Sequence, residues 1–128
     1  ATTVSEIVNN GLVPVFVDSV IGRYTIDENL VERAVSRKTT KAIMVPQLIG
    51  GVCNMEKLRE IADKYNLYLI DDSCDTFAPT FNGNTTASYA DISTTSFYGS
   101  HIITACGMGG LIMPNLWQKS LLFVTGVV

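Results

Sequence analysis

The sequence predicts an α/β fold built on a mostly parallel sheet. Three short apolar, β-branched runs, at 12–18, 41–46 and 67–71, alternate with helical patterns at 28–35 and 55–65, and the links between them are short. Such alternation is what βαβ units look like in sequence. The chain of 128 residues is also 47% hydrophobic and only 16% charged. An ordinary domain is about a quarter charged, so this balance fits central strands covered on both faces or a piece of a larger protein or oligomer whose surface expects a partner.

Taken in order, residues 3–10 (T-V-S-E-I-V-N-N) read as the end of a helix, stopped by Asn10-Gly11. The run 12–18 (L-V-P-V-F-V-D) reads as a buried strand. After a loop, Asp27 or Thr25 caps a short amphipathic helix, E-N-L-V-E-R-A-V. Residues 41–46 (K-A-I-M-V-P) form the second strand, and a loop with Gly50-Gly51 follows. Asn54 caps a helix, M-E-K-L-R-E-I-A-D-K-Y, with Met55, Leu58, Ile61, Ala62 and Tyr65 on one face, and Asn66 ends it. Residues 67–71 (L-Y-L-I-D) are the third strand. Beyond it, F-N-G-N is a turn signature, 92–97 a strand, 99–109 a glycine-flanked loop, 110–113 a short strand, and Asn115 a cap for a helix beginning L-W-Q-K.

Composition excludes several classes. A net charge of -3 with no Lys/Arg run counts against nucleic acid. No apolar run approaches the roughly 18 residues of a membrane span, and the first residues carry no basic segment followed by an apolar core. Three widely spaced cysteines, Cys53, Cys74 and Cys106, suggest reduced thiols and a cytoplasmic protein. One histidine and no C-x-x-C motif count against a metal site.

Chemistry concentrates between residues 70 and 110. In open α/β sheets ligands sit beyond the carboxyl ends of the strands, which is where Asp71 and Asp72 fall, with Asp75 close behind. Such acids could hold a metal, serve as acid–base groups, face a cationic ligand, or cap an ordinary turn. Ser93, Thr94, Thr95 and Ser96 could bind phosphate together with the N–H groups of the next turn, or be routine strand residues. His101 is the sole histidine and lies just past a strand end. A free histidine titrates near 6.5, which suits proton transfer, although a lone histidine is as readily a packing residue. The G-M-G-G stretch precedes a strand rather than opening a helix, so it is not a dinucleotide motif.

The ordered set P-V-F-V-D, K-A-I-M-V-P, N-M-E-K-L-R-E-I-A-D-K-Y, L-Y-L-I-D-D-S-C-D and D-I-S-T-T-S-F-Y-G-S-H-I-I-T, with a closing G-G, resembles the DegT/StrS-type sugar aminotransferases up to about Lys119. These are fold-type I enzymes dependent on pyridoxal 5'-phosphate (PLP). The resemblance implies a three-layer αβα architecture, with residues 1–128 a central fragment of the large domain. It implies that Asp72 pairs with the pyridinium nitrogen, that Asp75 packs near the cofactor ring and that Ser96 binds its phosphate. Five residues after that serine most members carry the Schiff-base lysine; this chain has His101.

Histidine at that position is the mark of the nucleotide-sugar 3-dehydratase branch, which serves lipopolysaccharide O-antigen synthesis. The resemblance then implies that pyridoxamine phosphate (PMP) condenses with the C4 ketone of a nucleotide-linked 4-keto-6-deoxyhexose. His101 removes a proton from the cofactor's C4′, and the C3 hydroxyl is expelled. In GDP-sugar enzymes, whose wording the motifs here favour, glutamate restores the amine; in CDP-sugar enzymes a [2Fe-2S] cluster and a reductase supply electrons. Relatives are dimers about three times this length, so the chain carries about half a site. A nucleotide-sugar aminotransferase, and an inactive remnant or dimerising domain, are the alternatives. The tail at 124–128, V-T-G-V-V, stands where the family continues R-D-W-G-R; a one-base shift of the reading frame converts one into the other, which suggests a frameshift.

Overall fold

The computed structural model describes residues 2–115. The helix expected after Asn115 and the tail at 124–128 lie outside the described residues.

A four-stranded sheet in the order β1-β2-β5-β6 forms the centre. β1 (Ala42–Pro46) and β2 (Tyr68–Asp72) are parallel, and β2 is parallel to β5 (Ile92–Ser96). β6 (Gly110–Pro114) closes the edge antiparallel to β5, with Ser96 opposite Gly110. The expected α/β class with a largely parallel sheet flanked by helices is therefore what the chain forms.

The helices follow their end signals. In α2 (Glu28–Ala34) the Asp27 carboxylate accepts the N–H of Asn29 at 2.9 Å. In α3 (Met55–Tyr65) the Asn54 side chain accepts the N–H of Lys57 at 3.0 Å. Asn66 ends α3 in the left-handed region at φ 53°, a conformation asparagine tolerates better than most side chains. α1 (Thr2–Asn9) ends in a Schellman arrangement: Gly11, at φ 71°, donates to the Val8 carbonyl, and Leu12 to the Ile7 carbonyl.

α3 presses Met55, Leu58, Ile61 and Ala62 against the inner face of the sheet, which contributes Ile43, Val45 and Leu69. Each fully buried side chain of this size stabilises by about 1.5–3 kcal/mol. Arg59, on the same helix, pairs with Asp91 at 3.0 Å, and Asp91 also accepts the N–H of Leu69 at 2.8 Å. That pair locks the helix to the start of β5. Between β2 and β5, β3 (Thr80–Phe81) and β4 (Asn84–Thr85) make the predicted hairpin, with Asn82 and Gly83 both at positive φ.

One expectation is corrected. Residues 12–18 are not a buried strand. They run extended outside the sheet, and Val13, Val15 and Phe16 are 84%, 68% and 74% exposed. The apolar, β-branched run has the composition of a strand, but a strand also needs a neighbour to pair with. Among the described residues β1 bonds only β2, and residues 12–18 join no sheet.

Candidate functional site

Strand alternation divides the acids at the end of β2. Successive side chains of a strand point to opposite faces, so Asp71 and Asp72 part company. Asp71 turns inward and is fully buried. One oxygen accepts Gln47 Nε2 at 2.9 Å; the other accepts the hydroxyls of Ser73 (3.0 Å), Thr86 (2.7 Å) and Ser93 (2.8 Å). Gln47 is itself fixed, since its Oε1 accepts the N–H of Cys53 at 2.9 Å. Four donors on one carboxylate satisfy it without a cation. This makes Asp71 a structural hub rather than a ligand residue, although its position at a strand end marked it as a candidate.

Asp72 turns to the other face, into a cavity of about 430 Å³ at the carboxyl end of the sheet. Asp75, Ser96 and His101 line the same cavity, so the four site residues expected from sequence meet in one place. The volume lies within the range of small-molecule sites, roughly 300–1,000 Å³. Thr2, Thr3, Cys74, Tyr98 and Ser100 complete much of the wall.

The Asp72 carboxylate is held from three directions. Oδ2 accepts the Thr3 hydroxyl at 2.7 Å; Oδ1 accepts the N–H of Cys74 at 3.2 Å and, at 3.4 Å, the hydroxyl of Thr94. The neighbouring Cys74 thiol is pushed up to about 12, first by burial and then by its hydrogen bond to Asp72 and that residue's charge. It is therefore a neutral, unreactive wall of the cavity.

Ser96 ends β5, and its oxygen accepts the N–H of Tyr98 at 3.1 Å, which leaves its hydroxyl hydrogen for an anion. The loop beyond is stitched by backbone bonds from Phe97 to Gly109, Gly99 to Gly107 and Ala105 to Phe97. Cys106, Gly107 and Gly109 all take positive φ there, which lets the loop double back on itself. His101 is placed by its own N–H, which donates to the Tyr98 carbonyl at 2.9 Å, and by the edge-on Tyr98 ring 5.9 Å away. Its Nε2 is 3.5 Å from Asp75 Oδ1, within ion-pair range but too long for a good hydrogen bond. Nδ1 is buried without a partner.

Sequence reasoning did not single out Thr3 or Gln47, because their roles exist only across the fold, 69 and 24 residues from the aspartates they hold. A signal did exist for separating Asp71 from Asp72: the two-residue period of a strand. Among the described residues no cluster of His, Cys, Asp and Glu could hold a metal ion, and no helix is long and apolar enough to cross a membrane.

A largely parallel sheet flanked by helices, with a cavity at its carboxyl edge, is consistent with part of a fold-type I PLP enzyme. The chain belongs to the DegT/DnrJ/EryC1/StrS aminotransferase family, whose model matches residues 1–121. It is 48% identical over 114 residues to the lipopolysaccharide biosynthesis protein RfbH of Salmonella typhimurium, covering 89% of this chain and 26% of that protein. Among solved structures it is similar to an aminotransferase from Psychrobacter cryohalolentis (TM-score 0.83, 32% identity, 88% of this chain and 28% of that one). It is also similar to the E. coli GDP-4-keto-6-deoxy-D-mannose-3-dehydratase with bound hydrated PLP (TM-score 0.80, 30% identity, 90% and 29%). The chain thus spans between a quarter and a third of the length of these relatives.

Proposed function

We propose that this chain carries the cofactor side of the active site of a PLP/PMP-dependent nucleotide-sugar 3-dehydratase, which removes the C3 hydroxyl of a nucleotide-linked 4-keto-6-deoxyhexose. The observation that carries the reading is His101 on the wall of the cavity that Asp72 also lines; by the resemblance, this is the place where the family carries its lysine. The residues present fit the cofactor. Asp72 offers an oriented carboxylate to a ring nitrogen, and Ser96 offers a hydroxyl to a phosphate. When bound, the cofactor supplies an electron sink for the carbon next to its amine.

The chain's own groups do the rest. Asp72 keeps a positive charge on the ring side of the cavity favourable. Asp75 and Tyr98 flank the imidazole of His101. Nε2 is the ring nitrogen on the Asp75 side, and an imidazole in that place can move a proton but cannot form the imine that a lysine would. Glutamate as amine donor, a homodimeric assembly and a role in lipopolysaccharide sugar synthesis belong to the same reading; the 48% identity to the lipopolysaccharide biosynthesis protein RfbH supports the last.

The aminotransferase reading has support in the Psychrobacter structure, but the histidine opposes it. The discriminating experiment supplies PMP and a nucleotide-linked 4-keto-6-deoxyhexose, in GDP, CDP and dTDP forms, and follows the sugar by mass spectrometry. Loss of the C3 hydroxyl is expected. A product that keeps the hydroxyl and gains an amine at C4 would overturn the dehydratase reading.

A further inference from the structure

The residues of α1 (Thr2–Asn9) include no buried side chain. Its side-chain hydrogen bonds, from Ser5, Asn9 and Asn10, stay within the helix and its end, apart from one. That one is Thr3 Oγ1 to Asp72 Oδ2 at 2.7 Å, shorter than the bonds that Oδ1 accepts from the Cys74 N–H and the Thr94 hydroxyl. The two donors on Oδ1 come from the sheet side, the turn N–H of Cys74 and the Thr94 hydroxyl of β5. Without Thr3, the carboxylate loses its shortest hydrogen bond and is held less firmly in its plane.

We infer that Thr3 is a positioning residue for Asp72: its hydroxyl fixes the plane of the carboxylate and, through the same bond, docks α1 as a wall of the cavity. The cofactor part of this inference rests on the proposed role of Asp72; the docking part does not. The carboxylate has about four lone-pair sites, and the donor on Oδ2 decides which of them remains directed at a ring cation. Because Thr2 and Thr3 both line the cavity, the bond that orients the carboxylate also shapes the opening above it. Binding at Asp72 and the order of α1 are therefore linked.

The test compares the 128-residue chain with Thr3→Val, which keeps the shape and β-branch but removes the donor, and with Thr3→Ser, which keeps the donor. Hydrogen exchange of the α1 amides reads docking without any cofactor. PLP titration by absorbance reads positioning. In Thr3→Val the α1 amides exchange as an undocked segment while those of α3 are unchanged, and PLP affinity falls about tenfold, the worth of one hydrogen bond to a charged group. Thr3→Ser restores both. Unchanged α1 exchange in Thr3→Val overturns the docking role, and unchanged PLP affinity overturns the positioning role. If the unaltered chain binds no PLP while α1 still responds to Thr3→Val, the docking role stands and the cofactor reading of Asp72 fails instead.

Discussion

Replacing Asp71 and replacing Asp72 should have opposite signatures, although the two are adjacent. Asp71 accepts four side-chain donors in the interior and does not line the cavity. Asp71→Asn can place its carbonyl where three hydroxyls converge. Its amide then faces Gln47 Nε2, donor against donor. Gln47 cannot flip to relieve this, because its Oε1 already accepts the Cys53 N–H. One mispaired buried group costs about 1–3 kcal/mol. Asp71→Ala removes the acceptor altogether; the hydroxyls of Ser73, Thr86 and Ser93 can rotate to other partners, so the loss is about 3–5 kcal/mol rather than four full penalties. Urea denaturation at neutral pH reads the difference. With a slope of roughly 1–3 kcal/mol per molar, the midpoint should fall by about 1 M for Asn and about 2 M for Ala. Equal midpoints for the two variants, or a shift below about 0.3 M for both, would refute the hub. So would a loss of PLP binding by the folded Asp71→Asn protein without loss of stability, since that is the behaviour expected of Asp72→Asn.

Two further outcomes follow from the same structure. Arg59 is nearly buried and its partner Asp91 more so, so Arg59→Leu leaves an interior carboxylate without its cation and should destabilise by about 3–5 kcal/mol in the same assay; a change under about 1 kcal/mol would count against the pair. Burial raises Cys53 to about 11, and burial together with Asp72 raises Cys74 to about 12. A raised value keeps the thiol protonated and unreactive until the pH approaches it. At pH 8 iodoacetamide should label the exposed Cys106 and spare the other two, as read by peptide mass spectrometry; Asp72→Asn should speed labelling of Cys74 alone, and equal rates at Cys74 and Cys106 would contradict the local electrostatics.

What could be read from sequence was local. The caps at Asp27 and Asn54, the left-handed stop at Asn66 and the inward stripe of α3 are encoded within a few residues of where they act. Strand-end placement alone pointed to Asp71 and Asp72; that Asp75, Ser96 and His101 share a site with Asp72 was an expectation from the resemblance of their motifs, and the four line one cavity. What could not be read depends on distant partners. The run at 12–18 advertises a strand, but a strand needs a bonded neighbour and among the described residues this run has none. The donors on Asp71 arrive from residues 47, 86 and 93, and the donor on Asp72 from residue 3, with no trace in local pattern.

The central claim is that His101 occupies the place of an imine-forming lysine in a PLP cavity. Borohydride reduction after PLP loading, followed by peptide mapping, tests it directly. The unaltered chain should show PLP absorbance that vanishes with Asp72→Asn, and no reduced cofactor adduct within residues 92–110. His101→Lys should gain an adduct mapped to position 101. Failure of the lysine variant to gain that adduct while still binding PLP would contradict the placement of His101 beside the cofactor, as would PLP absorbance that Asp72→Asn leaves intact.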